Sequence, residues 1–236
     1  MTSAFAPTAD PGRRSAAGGR RNPTDPHHVG HGGPGGGGPS ARGRGTGGPA
    51  PKSVVVSYGF WLFILSDIVM FATFFAAYAV LKGNTDGGPT PAGVFGLGNS
   101  AVETACLLLS SYAGGAATLA ARARNARLFY AAMALTFALG ALFIGLEARE
   151  FVDLVGRGAG PSRSAFLSSF FALVGCHGLH VSAGLLWLVT MVAQVYAKGF
   201  RADILRRFHC WTLFWHALDI VWVGVFTVVY LMGVYA

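Results

Sequence analysis

Five long hydrophobic runs constrain the fold of this chain more than any other feature of its sequence. The runs cover approximately residues 54–81, 95–121, 128–153, 165–196 and 208–235. With a rise of about 1.5 Å per residue, a helix of this length reaches across the ~30 Å hydrocarbon core of a bilayer. Only 12% of all residues are charged, and they are grouped mainly between the runs. The sequence therefore predicts an all-α membrane protein, a bundle of five transmembrane helices.

The N-terminal segment 1–52 differs in composition from the rest of the chain. It consists largely of Gly, Pro, Ala, Ser and Arg, with four consecutive glycines at 35–38 and almost no large apolar side chain. Such a segment cannot bury enough apolar surface to offset the entropy of ordering its backbone. We therefore expect a disordered tail over 1–52 and a five-helix transmembrane domain over 53–236.

The distribution of Lys and Arg predicts how the helices cross the membrane. Fourteen of these residues lie in the tail or near the second-to-third and fourth-to-fifth connections, and four lie near the other two connections. Basic residues accumulate on the cytoplasmic side of membrane proteins. The N-terminus is therefore expected to be cytoplasmic and the C-terminus to lie on the outer side. The net charge of +8 is then a topology signal and does not indicate binding to nucleic acid.

Asp67, Glu103 and Glu147 are carboxylates within the first three runs, where an unpaired charge is costly. Asp67 falls in the middle of the first run. It is either a proton-accepting or helix-coupling site, or a neutral, hydrogen-bonded group in an interior seam. Glu103 and Glu147 fall near the outer ends of the second and third runs. Like Asp67, both are candidates for a proton-related role inside the membrane. A solvated or ion-paired role, with Arg149 or Arg163 as the partner, is equally open for both.

Histidines and a carboxylate occur at helical spacing in the last two runs. His177 and His180 are three residues apart, as are His216 and Asp219, so each pair projects from one helix face. His177 or His180 opposite His216, with Asp219 as a supporting group, would suit a haem or a metal ion. The same residues, together with Trp215, also suit hydrogen bonds and packing between helices.

Tryptophans are frequent in the last run. An indole is amphipathic, and it is used both at the membrane interface and in the interior of bundles. We expect Trp211 to be an interfacial anchor and Trp222 to pack more deeply.

Motifs of soluble enzymes and of zinc sites do not occur in this sequence. There is no Walker loop, no G-x-S-x-G and no H-E-x-x-H, and the three cysteines have no C-x-x-C spacing. These observations argue against the corresponding hydrolase, nucleotide-binding and zinc-binding classes.

Motifs in all five runs resemble subunit III of haem-copper terminal oxidases. In chain order they are GFWLFILSD at 59–67, VET at 102–104, GLEAREF at 145–151, GPSRSAFL at 160–167, GCHGLHV at 175–181 and WHALDIVW at 215–222. The five-helix form and the ending VFTVVYLMG at 225–233 are most similar to the cytochrome o ubiquinol oxidase branch.

This resemblance implies a helical bundle docked on a catalytic subunit, which carries the haems and copper. The complex would oxidise quinol, reduce oxygen to water and pump protons in the inner membrane of a bacterium during aerobic respiration. The chain itself would hold no catalytic residue, metal or redox centre. It would stabilise the catalytic subunit and support proton uptake, with phospholipid bound as in the better-known relatives.

The resemblance also assigns roles to individual residues. The first-helix acid, a carbodiimide-reactive glutamate in longer relatives, falls on Asp67, where the side chain is one carbon shorter. Two motifs of the last two helices, His-Gly-x-His and Trp-His-x-x-Asp, serve helix packing and polar contacts in the family. They fall on His177, His180, Trp215, His216 and Asp219.

Three alternative functions follow from the same residues. The first is subunit III of a cytochrome c oxidase, because the electron donor binds to other subunits. The second is a self-contained haem-binding electron carrier that uses His177 or His180 with His216. The third is a proton-coupled transporter with Asp67 and Glu103 on its path.

Overall fold

The computed structural model describes residues 52–88 and 96–235, and within these ranges the chain is helical and contains no strand. The helices are α1 Lys52–Leu81, α2 Leu97–Arg122, α3 Ala126–Gly156, α4 Ala165–Lys198 and α5 Ala202–Val225. A π-helical segment, Phe226–Leu231, and a final turn, Met232–Tyr235, continue α5. Five helices are long and apolar enough to cross a membrane, which confirms the predicted fold class. The predicted disordered tail lies, up to residue 51, outside the described residues.

Two helix boundaries differ by more than two residues from those expected. The fifth helix begins at Ala202, whereas the sequence predicted a start after Arg207. Arginine side chains are long enough to carry their charge from the first turns of a helix to the membrane surface, so Arg206 and Arg207 do not end it. The third helix likewise continues to Gly156, beyond the predicted end at 153.

Local sequence signals fix the helix ends. The side chain of Asn125 accepts a hydrogen bond from the Leu128 amide at the start of α3, and Ser164 accepts one from the Leu167 amide at the start of α4. Such caps satisfy backbone donors that have no partner within the helix. After α4, Gly199 has a φ of 69°, a left-handed conformation that glycine adopts without strain.

The helices pack in three groups. The most extensive contact is between α2 and α3, which are joined by a short turn. Helices α4 and α5 pack against each other, and each also contacts the α2–α3 pair. Helix α1 packs on α4 and α5. The α4–α5 pair therefore occupies the middle of the described bundle, between α1 and the α2–α3 pair.

Small residues explain why α2 lies closest to its neighbours. Its buried positions include Ala113, Gly114, Ala117, Ala120 and Ala121. Small side chains allow helix backbones to approach closely, which increases van der Waals contact where no hydrophobic force acts between helices. Helix α1 shows the opposite pattern, because most of its large apolar side chains, such as Trp61, Leu65 and Val69, are exposed.

Candidate functional site: polar groups inside the bundle

Three tryptophans of α5 donate hydrogen bonds to neighbouring helices. The indole nitrogen of Trp211 lies 3.0 Å from the carbonyl oxygen of Gly184 on α4. On α2, Ser110 accepts from Trp215 and Thr104 accepts from Trp222, each at 3.1 Å. Since these indoles are buried, the hydrogen bonds satisfy groups that would otherwise be costly in the bundle interior. They also fix the position of α5 relative to α2 and α4.

The buried position of Trp211 contradicts its expected role as an interfacial anchor. Its side chain is fully enclosed and stacks between Phe208 and Trp215, with ring centroids 5.5 Å and 5.6 Å away. Its N–H points to a backbone carbonyl of α4. Inter-helix hydrogen bonding therefore outweighs the preference of indole for the interface at this position.

Two glycines make room for Trp215. A Cβ atom on Gly184 would lie 2.9 Å from the Trp215 ring, and a Cβ on Gly140 would lie 3.0 Å from it. Real Cβ atoms do not approach other heavy atoms this closely without displacement. Glycine at these two positions, one on α3 and one on α4, is therefore required for the indole to reach Ser110 between the helices.

His177 is enclosed by aromatic rings. Its side chain is 0% exposed, and its imidazole stacks on Trp222 with centroids 5.2 Å apart. Phe143 and Phe71 pack edge-on against the same imidazole at 5.8 Å and 6.1 Å. Neither ring nitrogen has a hydrogen-bond partner in the part of the chain that the structure describes. This geometry suits a neutral imidazole that acts as a packing group.

His180 and Asp67 meet at the seam between α1 and α4. The Nδ1 atom of His180 lies 2.7 Å from the carbonyl oxygen of Cys176, so it carries the proton in that hydrogen bond. Asp67 is half-buried and interacts electrostatically with His180. Across from Asp67, Phe214 and Ala217 of α5 line a narrow cleft. The first-helix acid is thus placed where α1 joins the α4–α5 pair.

His216 and Asp219 form a separate pair on α5. Asp219 is buried beside Ser111 of α2 and interacts electrostatically with the half-buried His216. Within the described ranges, no ring contact or hydrogen bond joins His216 to His177 or His180. The structure therefore does not assemble the histidine pair on which the haem hypothesis depends.

Three glutamates cluster between the start of α2 and the end of α3. Glu103 and Glu147 are buried, with 0% and 4% exposure, and none of their four carboxyl oxygens has a hydrogen-bond partner among the described residues. Both interact electrostatically with Glu150. The hydroxyl of Tyr230, in the π-helical segment, donates a 3.5 Å hydrogen bond to Glu150.

Of the roles open for Glu103 and Glu147, a solvated or ion-paired one therefore does not fit the geometry of the described residues. The one ion pair found in 52–88 and 96–235 joins Arg201 and Asp203. Arg149 is exposed, since it follows Glu147 by only two residues and points to a different side of α3.

Sequence reasoning missed Thr104, Ser110, Glu150 and Tyr230. A signal existed for Glu150, because it follows Glu147 by three residues and shares its helix face. No such signal existed for Tyr230, whose position depends on the π-helical segment.

No group of three or more His, Cys, Asp or Glu side chains in the described part of the chain is arranged to hold a metal ion. The polar residues fall instead into the separate sets given above. Asp67 and Glu103 also belong to different sets, on opposite sides of the α4–α5 pair. They therefore do not form one local proton path of the kind that the transporter alternative requires.

Comparisons with known proteins cover all five helices. A family model described as cytochrome c oxidase subunit III matches residues 48–234. Cytochrome bo(3) ubiquinol oxidase subunit 3 of Pseudomonas aeruginosa is 54% identical over 176 residues, which are 75% of this chain and 84% of that relative. Quinol oxidase subunit 3 of Bacillus subtilis is 40% identical over 74% of this chain and 86% of its own length. Cytochrome c oxidase subunit 3 of Bacillus sp. (strain PS3) is 40% identical over 74% of this chain and 84% of its own length.

Proposed function

Because the chain belongs to the cytochrome c oxidase subunit III family, we propose that it works as a membrane subunit of a quinol-oxidising terminal oxidase. The observation that carries the quinol assignment is the 54% identity to a ubiquinol oxidase subunit 3 over the helical region. In such a complex, the haems and copper that reduce oxygen to water belong to a catalytic subunit. This chain binds that subunit and holds no redox centre.

A cytochrome c oxidase is the second candidate. It is favoured by the 40% identity to a subunit 3 with that name, which equals the identity to the Bacillus quinol oxidase subunit. The two candidates share the fold and the role of this chain. They differ in the electron donor, which is bound by other subunits.

Purification of the complex from its native membrane distinguishes these candidates. The tagged chain is isolated in a mild detergent, and oxygen uptake of the co-purified complex is measured with a reduced quinol and, separately, with reduced cytochrome c. Quinol-driven uptake supports the proposal. Uptake driven only by cytochrome c would replace it with the second candidate, and absence of haem-bearing partners would overturn both.

The isolated chain provides the test of the haem-carrier alternative. After dissociation from its partners, the chain is expected to show no reduced-minus-oxidised haem spectrum, because His177 is sealed by aromatic rings and His216 is not beside it. A haem signal that stays with the isolated chain would contradict this assignment. Phosphorus and lipid analysis of the same purified complex tests whether phospholipid is retained.

We place the N-terminus in the cytoplasm and the C-terminus on the outer side of a bacterial inner membrane. The excess of Lys and Arg near the second-to-third and fourth-to-fifth connections supports this orientation. Impermeant labelling of a cysteine introduced next to Gly158, between α3 and α4, tests it. Labelling from the outer side is expected, and labelling only from the cytoplasmic side would reverse the orientation.

Asp67 is proposed to support proton uptake by the complex. Its half-buried carboxyl lies at the α1 seam and interacts electrostatically with His180. Asp67→Asn removes the titratable carboxyl group and keeps the size, so we expect reduced proton uptake per turnover in an assembled complex. Asp67→Glu, which keeps a carboxyl group, is the matched control. Equal proton uptake by wild type and Asp67→Asn would exclude this role.

A further inference from the structure

A polar cavity opens at the end of the bundle where α2 begins and α3 ends. Its volume is about 250 Å³, enough for several water molecules. The polar residues that line it are Asn99, Glu103, Arg149, Glu150, Asp153 and Arg157. Of these, Glu103 is buried, while Arg149, Asp153 and Arg157 are exposed. The cavity thus leads from an exposed, charged rim to a carboxyl group in the interior.

The buried carboxyl group of Glu103 indicates that the cavity holds a ligand. Its side chain is fully buried, lines the cavity, and has no hydrogen-bond partner on either carboxyl oxygen. Glu147 of α3, which interacts electrostatically with Glu103, is also buried, and no described residue forms a hydrogen bond with its carboxyl oxygens. A buried polar group without a partner is costly, so native structures supply a protein group, a water molecule or an ion for it. Here the described residues supply no protein partner.

Among the described residues, no ion pair neutralises these carboxyls. Glu103, Glu147 and Glu150 interact electrostatically with one another, with Tyr230 and with the Cys106 thiol. Helix α4 contributes the apolar ring of Phe170 beside Tyr230. The exposed Arg149 and Arg157 at the rim form no ion pair within the described ranges. Three ionised carboxylates in this setting would repel each other in a region of low dielectric constant.

The π-helical segment completes the arrangement. It carries Tyr230, whose hydroxyl donates to the Oε1 atom of Glu150. Trp222, which lies in α5 before this segment, packs against Tyr230 with ring centroids 6.2 Å apart. Short π-helical insertions occur frequently at functional sites. In this chain, the insertion brings a hydroxyl donor to a cluster that otherwise consists of acceptors.

We propose that Glu103, Glu147 and Glu150 form a proton-binding site that exchanges with the aqueous phase through this cavity. The ligand is an excess proton shared among the carboxyls and the water between them. With the N-terminus in the cytoplasm, the site faces the outer side, opposite to the side of proton uptake. The inference rests on the geometry of α2, α3 and the π-helical segment, and it does not depend on a role for Asp67 or on the identity of the electron donor.

Infrared spectroscopy of the assembled complex tests the site. A protonated carboxyl has a carbonyl stretch that moves to lower frequency when H₂O is replaced by D₂O. We expect such an exchangeable band in the wild type, and its loss or reduction in Glu103→Gln and in Glu147→Gln. Asp86→Asn, which alters an exposed acid after α1, is the matched control and is expected to leave the band unchanged.

The outcomes separate clearly. A band that is lost in the two glutamate variants and retained in Asp86→Asn supports the proposal. A band that responds to the variants but does not shift in D₂O would overturn the exchange with water. A spectrum that is the same in all variants would overturn the proton-binding site.

A second measurement covers the case in which the variants fail to assemble. The wild-type complex is treated with an apolar carbodiimide, which adds to a protonated carboxyl and leaves its mass on the residue. Peptide mass spectrometry is expected to find the adduct on a glutamate of the cluster, decreasing as the medium is made alkaline. Absence of any adduct on these glutamates would contradict the proposal. An adduct on Asp67 would appear on a different peptide. The result for the glutamate cluster is therefore distinguishable from the result for the proposed role of Asp67 in proton uptake.

Discussion

His177 and Glu103 are both fully buried and both lack a hydrogen-bond partner, yet they occupy opposite environments. The imidazole of His177 is enclosed by Trp222, Phe143 and Phe71. The carboxyl of Glu103 borders a cavity and faces two further glutamates. A neutral imidazole can be stabilised by ring contacts alone, whereas a carboxyl needs a proton or a donor. The same deficit therefore indicates packing in one region and ligand binding in the other.

The two regions also differ in how the space between their helices is filled. In the aromatic seam, defined by His177, Phe143, Trp215 and Trp222, rings fill the space between α3, α4 and α5. In the carboxyl cluster, space remains beside the polar groups. We therefore expect substitutions in the seam to act on stability, and substitutions in the cluster to act on proton exchange.

The largest effect is expected for Trp222→Ala. This change removes the stack on His177, the contact with Phe143 and the hydrogen bond to Thr104. Loss of a large buried aromatic side chain costs about 3–5 kcal/mol, so the chain should dissociate from the complex at a lower temperature. The measurement is the fraction of complex that retains this chain after heating in detergent. Trp61→Ala, at an exposed position of α1, is the control, and an equal loss in both variants would refute a special role of the seam.

Gly184→Ala should have the next largest effect. Its new Cβ would approach Trp215 to 2.9 Å and Phe214 to 3.3 Å, so at least one ring must move. Overpacking of this kind costs about 1–3 kcal/mol. Gly178→Ala, on the same helix and with no atom within 4 Å of its new Cβ, is the matched control. Comparison of their dissociation temperatures checks the prediction, which fails if Gly178→Ala is equally destabilised.

Asp219→Ala should weaken assembly and leave the chemistry of the assembled complex unchanged. The substitution removes the carboxyl beside Ser111 and the partner of His216. Leaving a buried polar group without its partner costs about 1–3 kcal/mol, and partial exposure of His216 should keep the loss near the lower end. Yield of complex and oxygen uptake per haem are measured together, with Asp219→Asn as the conservative control. Normal yield with collapsed turnover would show that Asp219 acts in the reaction.

The smallest effect is expected for His177→Phe, which tests the comparison directly. If the imidazole acts only by packing, a phenyl ring of similar size should cost less than about 1.5 kcal/mol. Dissociation temperature and oxygen uptake should both stay close to those of the wild type. A loss of activity without a loss of stability would mean that the nitrogens of His177 have a chemical role. In that case the aromatic seam could no longer be treated as purely structural.

Much of the architecture was predictable because it depends on local properties of the chain. The lengths of the hydrophobic runs specify five crossings, and spacing by three residues puts His177 and His180 on one face of α4. The presence of Asp67 and Glu103 inside hydrophobic runs also marked them as candidates. These features require no knowledge of how one helix packs against another.

The neighbours of each polar group depended on the packing of helices that are distant in sequence. Trp211 was expected at the interface, but close approach of α4 at Gly184 gives its N–H a carbonyl acceptor. For Glu103 a solvated or ion-paired role was one of the open alternatives, but the contact of α2 with α3 buries it beside Glu147 and Glu150.

Helical periodicity specifies which residues share a face, and the lengths of apolar runs specify how often the chain crosses the membrane. Neither specifies which two faces meet. That choice depends on small residues at the contacts, such as Gly140 and Gly184, and on the π-helical segment that brings Tyr230 to Glu150. Because close backbone approach and a local change of helix register are properties of the packed bundle, only the tertiary structure decided that one set of buried polar groups is sealed and the other opens to a cavity.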